Sequence, residues 1–303
     1  MLKNQIAAHN YLCVLKKFTG VNLSINKKMN TNVVENYSRL KPSLFIFPAV
    51  FLTLIVLFLY KQDALSVDKC IQIQKNTFLF LNSKLSQFPK TIFNLTQFGD
   101  AVVFLSFISI FIIYAPKIWE SLISASLVSC IICTSLKEIF AVPRPAAVFD
   151  RDSFVIIGKA LTGHNSLPSG HSITVFTVLT ILLFAFMPQR LNYKILWVVF
   201  ITAVGLILVF TRIGVGAHHP LDVIIGGTIG YVSGLLGIFI NEKYKIWTWI
   251  NNKKFYPIII FFFLFCCVSL VSRLLDDNLI IFYLSLITVV ISLYKIITVY
   301  VKK

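Results

Sequence analysis

Charge is scarce in this chain, and negative charge scarcest of all. Asp and Glu number 12 in 303 residues, and charged residues of both signs make up 13%. A soluble domain carries about 25% charged residues, so this poverty excludes an ordinary water-facing surface. Disorder is excluded as well, because it needs low hydrophobicity. Cysteine is thin at six residues. Four of them (Cys130, Cys133, Cys266 and Cys267) fall inside apolar runs, and no disulfide framework is expected. Cys130 and Cys133 have redox or metal spacing, but within an apolar helix they read as small packing residues. Arginine is rare, 22 of the 28 basic residues being Lys, and histidine occurs five times. The first 41 residues are polar and basic and lack the apolar stretch of a secretory signal peptide.

What the chain does have is apolar length: 57% hydrophobic residues and 28 Phe, with a mean hydropathy of +0.83. A membrane helix needs about 20 apolar residues. Eight uncharged runs approach or reach that length: Leu44–Tyr60, Ala101–Ala115, Ser121–Leu136, Ser172–Met187, Ile195–Thr211, Val223–Ile240, Tyr256–Ser272 and Leu279–Tyr294. They lack the regular polar positions of a soluble bundle. The fold class expected is therefore all-α, a polytopic membrane helix bundle. Asp100, Glu120, Glu138, Asp222 and Glu242 stand at run edges, where a bilayer tolerates charge. With the N-terminus inside, inner segments hold 17 of the 28 basic residues, which by the positive-inside rule predicts N-in and C-in. The net charge of +16 is thus divided between two membrane faces, and no nucleic-acid partner is expected. Residues 1–42 are expected to be a basic cytoplasmic tail attracted to anionic lipid. The mixed stretch 61–100 is expected to hold an interfacial amphipathic helix.

Four of the five histidines gather in two outer connections. Arg144 and Arg212 occur in the same outer regions, and a guanidinium binds phosphate oxygens in pairs. Three clusters stand in order: Lys137 with Arg144-Pro145, then Pro168-Ser169-Gly170-His171, then Arg212 with His218 and Asp222. The pattern K-x6-RP, PSGH, R-x5-H-x3-D resembles the type 2 phosphatidic acid phosphatase superfamily, which also includes vanadium haloperoxidases and glucose-6-phosphatase. Thr211 stands where that family usually has Ser, and it keeps the hydroxyl. The resemblance implies a six-helix phosphatase core over about 43–240. Residues 241–303 then add about two C-terminal spans and a short basic end. It further implies that His218 is the nucleophile, through a phosphohistidine, and His171 the general acid. Lys137, Arg144 and Arg212 would hold the phosphoryl oxygens with Ser169 and Gly170. It implies no cofactor and no metal.

Physical reasoning converges on the same place. Ser172–Met187 runs inward and Ile195–Thr211 returns, so His171, Arg212 and His218 reach one membrane face, where the helix carrying Lys137 also ends. Pro220 suits a helix start, and Asp222, four residues after His218, can orient its imidazole. Gly170 at a helix start offers free N–H groups to an anion. His219 is read as filling the position where the family has an aromatic residue. Lys159, His164 and Asp150-Arg151-Asp152 are read as solvated loop, and Gly226, Gly230 and Gly234 as a close-packing helix face. The function expected is an integral membrane lipid phosphatase of the inner membrane, its site facing the periplasm. By resemblance the substrate could be phosphatidic acid, phosphatidylglycerol phosphate, undecaprenyl diphosphate or the phosphates of lipid A. A lipid phosphotransferase using the same site is the close alternative. A transporter without chemistry is the remote one, since its polar site belongs at the midplane. Oligomeric state is left open.

Overall fold

The computed structural model describes residues 28–301; residues 1–27, with Cys13 and most of the basic tail, and residues 302–303 lie outside the described residues. The described chain is helical throughout, with no strand. The elements are α1 (28–38), α2 (Ile46–Lys61), α3 (Val67–Leu85), α4 (Pro89–Thr96), α5 (Ala101–Ile108), α6 (Phe111–Tyr114), α7 (Pro116–Phe140), α8 (Pro145–Val148), α9 (Gly170–Ala185), α10 (Leu191–Gly214), α11 (Pro220–Tyr244), α12 (Tyr256–Asp276) and α13 (Ile280–Val301). Six helical stretches, those containing α2, α7, α10, α11, α12 and α13, are long and apolar enough to cross a membrane. The protein is an all-α, multi-pass membrane bundle.

Two of the eight expected spans differ from the rest. The run Ala101–Ala115 is broken into α5 and α6. At the break the Ser109 hydroxyl bonds the Ser106 carbonyl and the Ser292 hydroxyl, each at 2.7 Å, so hydroxyls compete with the helix ladder. Ahead of it the chain bends by 77° between Pro89–Gly99 and Ala101–Ile108. Asp100 caps the new helix by accepting from the Val102 amide at 2.9 Å and sits 3.0 Å from Arg273. The second is α9, with only 16 residues, about 24 Å of helix against a hydrocarbon core of about 30 Å.

The brevity of α9 is compensated by its surroundings. It is the central helix, buried along most of its length among α7, α10 and α11. Its last carbonyls, orphaned by the helix end, are met by side chains from elsewhere. Asn36 Nδ2 donates to Ala185 O at 3.0 Å, Tyr37 Oη to Ile181 O at 3.1 Å and Trp197 Nε1 to Leu183 O at 2.9 Å. The final part of the expected loose tail is therefore a helix built into the bundle, with Val33 and Tyr37 buried.

The seam between α9 and α11 is made of glycine. A Cβ on Gly226 would lie 2.7 Å from Ser169 O, on Gly230 2.5 Å from Ile173 O, and on Gly234 2.7 Å from Thr180 Cβ. The two backbones touch, as the small-residue spacing predicts. Both helices begin at the same end of the bundle, next to the end of α7 and the end of α10.

Candidate active site

The end of α7 is the first contributor. The helix stops at Ala141 in a left-handed conformation, and Pro143 and Pro145 keep the chain from continuing it. Lys137 is in the last turn and Arg144 just beyond. The Lys137 ammonium lies 3.6 Å from where a Gly170 Cβ would be, which places it at the start of α9. Arg144 is 8% exposed. Its Nε donates to Asn165 Oδ1 at 2.8 Å and its Nη1 to Ala217 O at 3.2 Å, and the same Nη1 lies 3.3 Å from His218 Nε2.

The start of α9 is the second. The Ser169 amide donates to Asp222 O at 3.0 Å, tying the two helix starts together. Ser169 Oγ caps α9, accepting from the Ser172 amide at 3.4 Å and the Ser172 hydroxyl at 3.0 Å. His171 follows, partly exposed and pressed against Gly99. A Cβ at Gly99 would fall 2.4 Å from His171 Cβ.

The turn between α10 and α11 is the third. Arg212 is 7% exposed. Its Nη1 donates to Thr96 Oγ1 at 2.8 Å, while its buried Nε has no hydrogen-bond partner. His218 and Asp222 are both buried. Asp222 Oδ2 accepts from the His219 amide at 2.9 Å and from the Ser166 hydroxyl at 2.6 Å. His218 Nδ1 lies 3.7 Å from that oxygen and 3.3 Å from Ser166 Oγ. The shorter path therefore runs through Ser166: Nδ1–H donates to the hydroxyl, which donates to the carboxylate. This leaves the Nε2 lone pair facing Arg144, so the network fixes one tautomer. Burial first, and then Arg212 and Arg144, push the His218 imidazole down to about 3, against the opposing pull of Asp222. At neutral pH it is uncharged, as a nucleophile must be.

All eight residues named from the sequence are thus gathered around four adjoining helix termini, the ends of α7 and α10 and the starts of α9 and α11. His219 lies outside the cluster's open side, buried against Phe149 edge-on at 5.5 Å and Phe78 at 5.9 Å, with Nε2 3.1 Å from Pro143 O. It fills an aromatic slot, as expected. Lys159 and His164 are exposed, as are Asp150, Arg151 and Asp152. Among the described residues no group of three His, Cys, Asp or Glu side chains is placed to hold a metal ion.

Several residues escaped the sequence reading. Asn165 and Ser166 lie beside the loop read as solvated, yet they hold Arg144 and Asp222. The stretch 61–100, expected only as an interfacial helix, forms the second layer of the site. Gln74 Oε1 accepts from the Leu221 amide at 2.8 Å. Asn82 donates to Ile213 O at 3.0 Å, to Gly214 O at 3.2 Å and to Val155 O at 2.9 Å. With Thr96 and Gly99, these fix the turn that carries Arg212 and His218. Polar residues on the inward face of an amphipathic helix, Gln74 and Asn82 on either side of Phe78 at intervals of four, were the available signal.

The PAP2 superfamily matches residues 117–246, the segment from α7 to just past α11. The crystal structure of Aquifex aeolicus LpxE is similar at 24% identity over 54% of this chain and 93% of that chain, with a TM-score of 0.45. No curated protein matches the chain.

Proposed function

Starting from a chain whose residues 117–246 match the PAP2 superfamily, we propose a membrane-embedded lipid phosphatase that works through a phosphohistidine on His218. The observation that carries this reading is a charge imbalance. Lys137, Arg144 and Arg212 share the site with one buried carboxylate, Asp222, yet among the described residues none of the three is ion-paired to a carboxylate, and the buried Arg212 Nε has no partner. Buried uncompensated cations are costly, and a phosphate dianion supplies the missing charge and acceptors.

The steps follow from the atoms. A phosphate oxygen takes the Arg144 Nη1 hydrogen bond, releasing the Nε2 lone pair of neutral His218. Nε2 attacks phosphorus as the P–O bond to the lipid breaks. His171, protonated once the phosphate dianion offsets the surrounding cations, gives its proton to the leaving oxygen. Positive charge on His218 is stabilised through Ser166 and Asp222, the orienting role of a triad carboxylate. Water, deprotonated by His171, then attacks phosphorus and breaks the N–P bond, returning inorganic phosphate. Three cations neutralise the developing charge, so no metal is required by this scheme. The substrate is a lipid phosphomonoester or diphosphate, such as phosphatidic acid, phosphatidylglycerol phosphate, undecaprenyl diphosphate or lipid A, with its tails in the bilayer. The Lys and Arg distribution supports a site on the periplasmic face of the inner membrane, with both termini inside.

The test is phosphate release from a panel of these lipids by purified protein in EDTA, with an acid-labile phosphohistidine trapped on His218. His218→Ala should lower release by on the order of 10⁴-fold, the loss seen when a triad member is altered. Wild-type release by that variant would end the assignment. Transfer of label to an added acceptor lipid, in place of water, would identify a phosphotransferase instead.

A further inference from the structure

A large cavity lies away from the histidines. It has a volume of about 980 Å³ and lies between α2, α9, α10 and α11. Its walls are apolar over most of their length, among them Phe51, Leu183, Val198 and Ile201. Toward the histidine end it stops at Val209, Phe210 and Val223, and none of Lys137, Arg144, His171, Arg212 or His218 lines it. On α9 the lining runs from Phe176 to Phe184, a rise of about 12 Å, and continues past the helix end to Met187. That approaches half of a hydrocarbon core of about 30 Å, the depth of one leaflet.

The opposite mouth is polar and basic. Arg39, Lys41, Ser43 and Lys194 rim it. A second hollow of about 380 Å³ adjoins it and shares Asn36, Arg39 and Gln189. Arg39 is paired with Glu35 and held by Gln189. Lys41 and Lys194 are exposed and have no carboxylate partner among the described residues. The rim therefore keeps a net positive charge after Glu35 is counted.

We propose that this trough holds one anionic phospholipid of the leaflet opposite the histidine site. Its phosphate sits at Lys41 and Lys194 and its acyl chains lie between α2 and α10. An apolar trough of leaflet depth ending in a polar, cationic hollow has the shape and charge of that class of molecule. A substrate of the histidine site has its phosphate at the other membrane face, so this lipid is a separate ligand. The inference goes beyond the proposed chemistry and does not depend on it.

The experiment uses delipidated full-length protein in detergent, offered equimolar phosphatidylglycerol and phosphatidylcholine, with retained lipid counted by native mass spectrometry. Phosphatidylglycerol has no phosphomonoester, so hydrolysis cannot consume it. Wild type should retain it about 30-fold more tightly, the effect of two basic side chains at a membrane surface. Lys41→Gln with Lys194→Gln should bring the ratio close to one, while Thr202→Trp, which fills the trough, should lose both lipids. Equal retention by wild type, or an undiminished preference in the double variant, would overturn the proposal. So would competition between phosphatidylglycerol and a lipid phosphate substrate for release, since that would place it at the histidines.

Discussion

The two ends of the bundle bury charge in opposite ways. At the end opposite the histidines, one cation serves two carboxylates. Lys117 Nζ lies 3.3 Å from Glu120 and 2.8 Å from Glu242. Glu120 also accepts from Asn241 Nδ2 at 3.2 Å and Asn251 Nδ2 at 2.6 Å. These contacts join α7, α11 and the approach to α12. At the histidine end, none of Lys137, Arg144 and Arg212 is ion-paired to a carboxylate among the described residues. Paired charge holds helices together, whereas charge left in excess at a buried site waits for a ligand of opposite sign. The difference lies in pairing: Glu120 and Glu242 at the first end each have a cation within 3.3 Å, and the three cations at the second have no such partner.

Removing a charge should therefore have opposite consequences at the two ends. Lys117→Met leaves Glu120 buried without its cation and should cost about 3–5 kcal/mol of stability. Thermal unfolding in detergent would show it, with phosphate release per folded molecule unchanged. Arg212→Met should do the reverse. Release should fall by about 10²–10³-fold, as when one transition-state donor is lost, while the melting temperature stays level or rises. If both variants lost stability alike, the contrast would collapse.

Finer predictions sharpen it. Ser166→Ala removes the hydroxyl between His218 and Asp222 and should reduce release by roughly 10–100-fold, the range for a lost buried hydrogen bond to a charged group. Ser166→Thr, which keeps the hydroxyl, should recover part of it. The smallest effect is on pH. In the unfolded chain His218 takes up a proton below its ordinary value of about 6.5, whereas in the fold it stays neutral down to about 3. The unfolded state then binds more protons, so this contribution to stability is complete above pH 6.5 and declines as pH falls toward 3. The melting temperature of His218→Asn should show a shallower decline across that window than wild type.

Much of this architecture was legible in the residues. Runs of uncharged residues mark spans because a bilayer admits no other composition, and six of the eight are long membrane-grade helices. The three polar clusters meet because antiparallel crossings return alternate loops to one face. Less legible was whatever depended on distant partners. Nothing local to Thr96 or Asn82 announces an arginine or a turn more than 100 positions away. The break at Ser109 was hidden in the same way, since its partner Ser292 is 183 residues on. Hydropathy reads both serines as tolerable in a span. The tail's last turns were read as loose from their polarity, and their hydrogen bonds to the end of α9 were invisible for the same reason.

The glycine seam carries one more consequence. His171 stands one residue into α9 and His218 two residues ahead of α11, so the interval between donor and acceptor of the proposed proton and phosphoryl transfers is inherited from how closely two backbones approach. It acts as a fixed ruler, set at Gly226 and Gly230 rather than in any loop. A methyl group at either position would lengthen that ruler while removing no catalytic group, and an enzyme with an intact inventory of catalytic groups would then fail for want of a few tenths of an ångström.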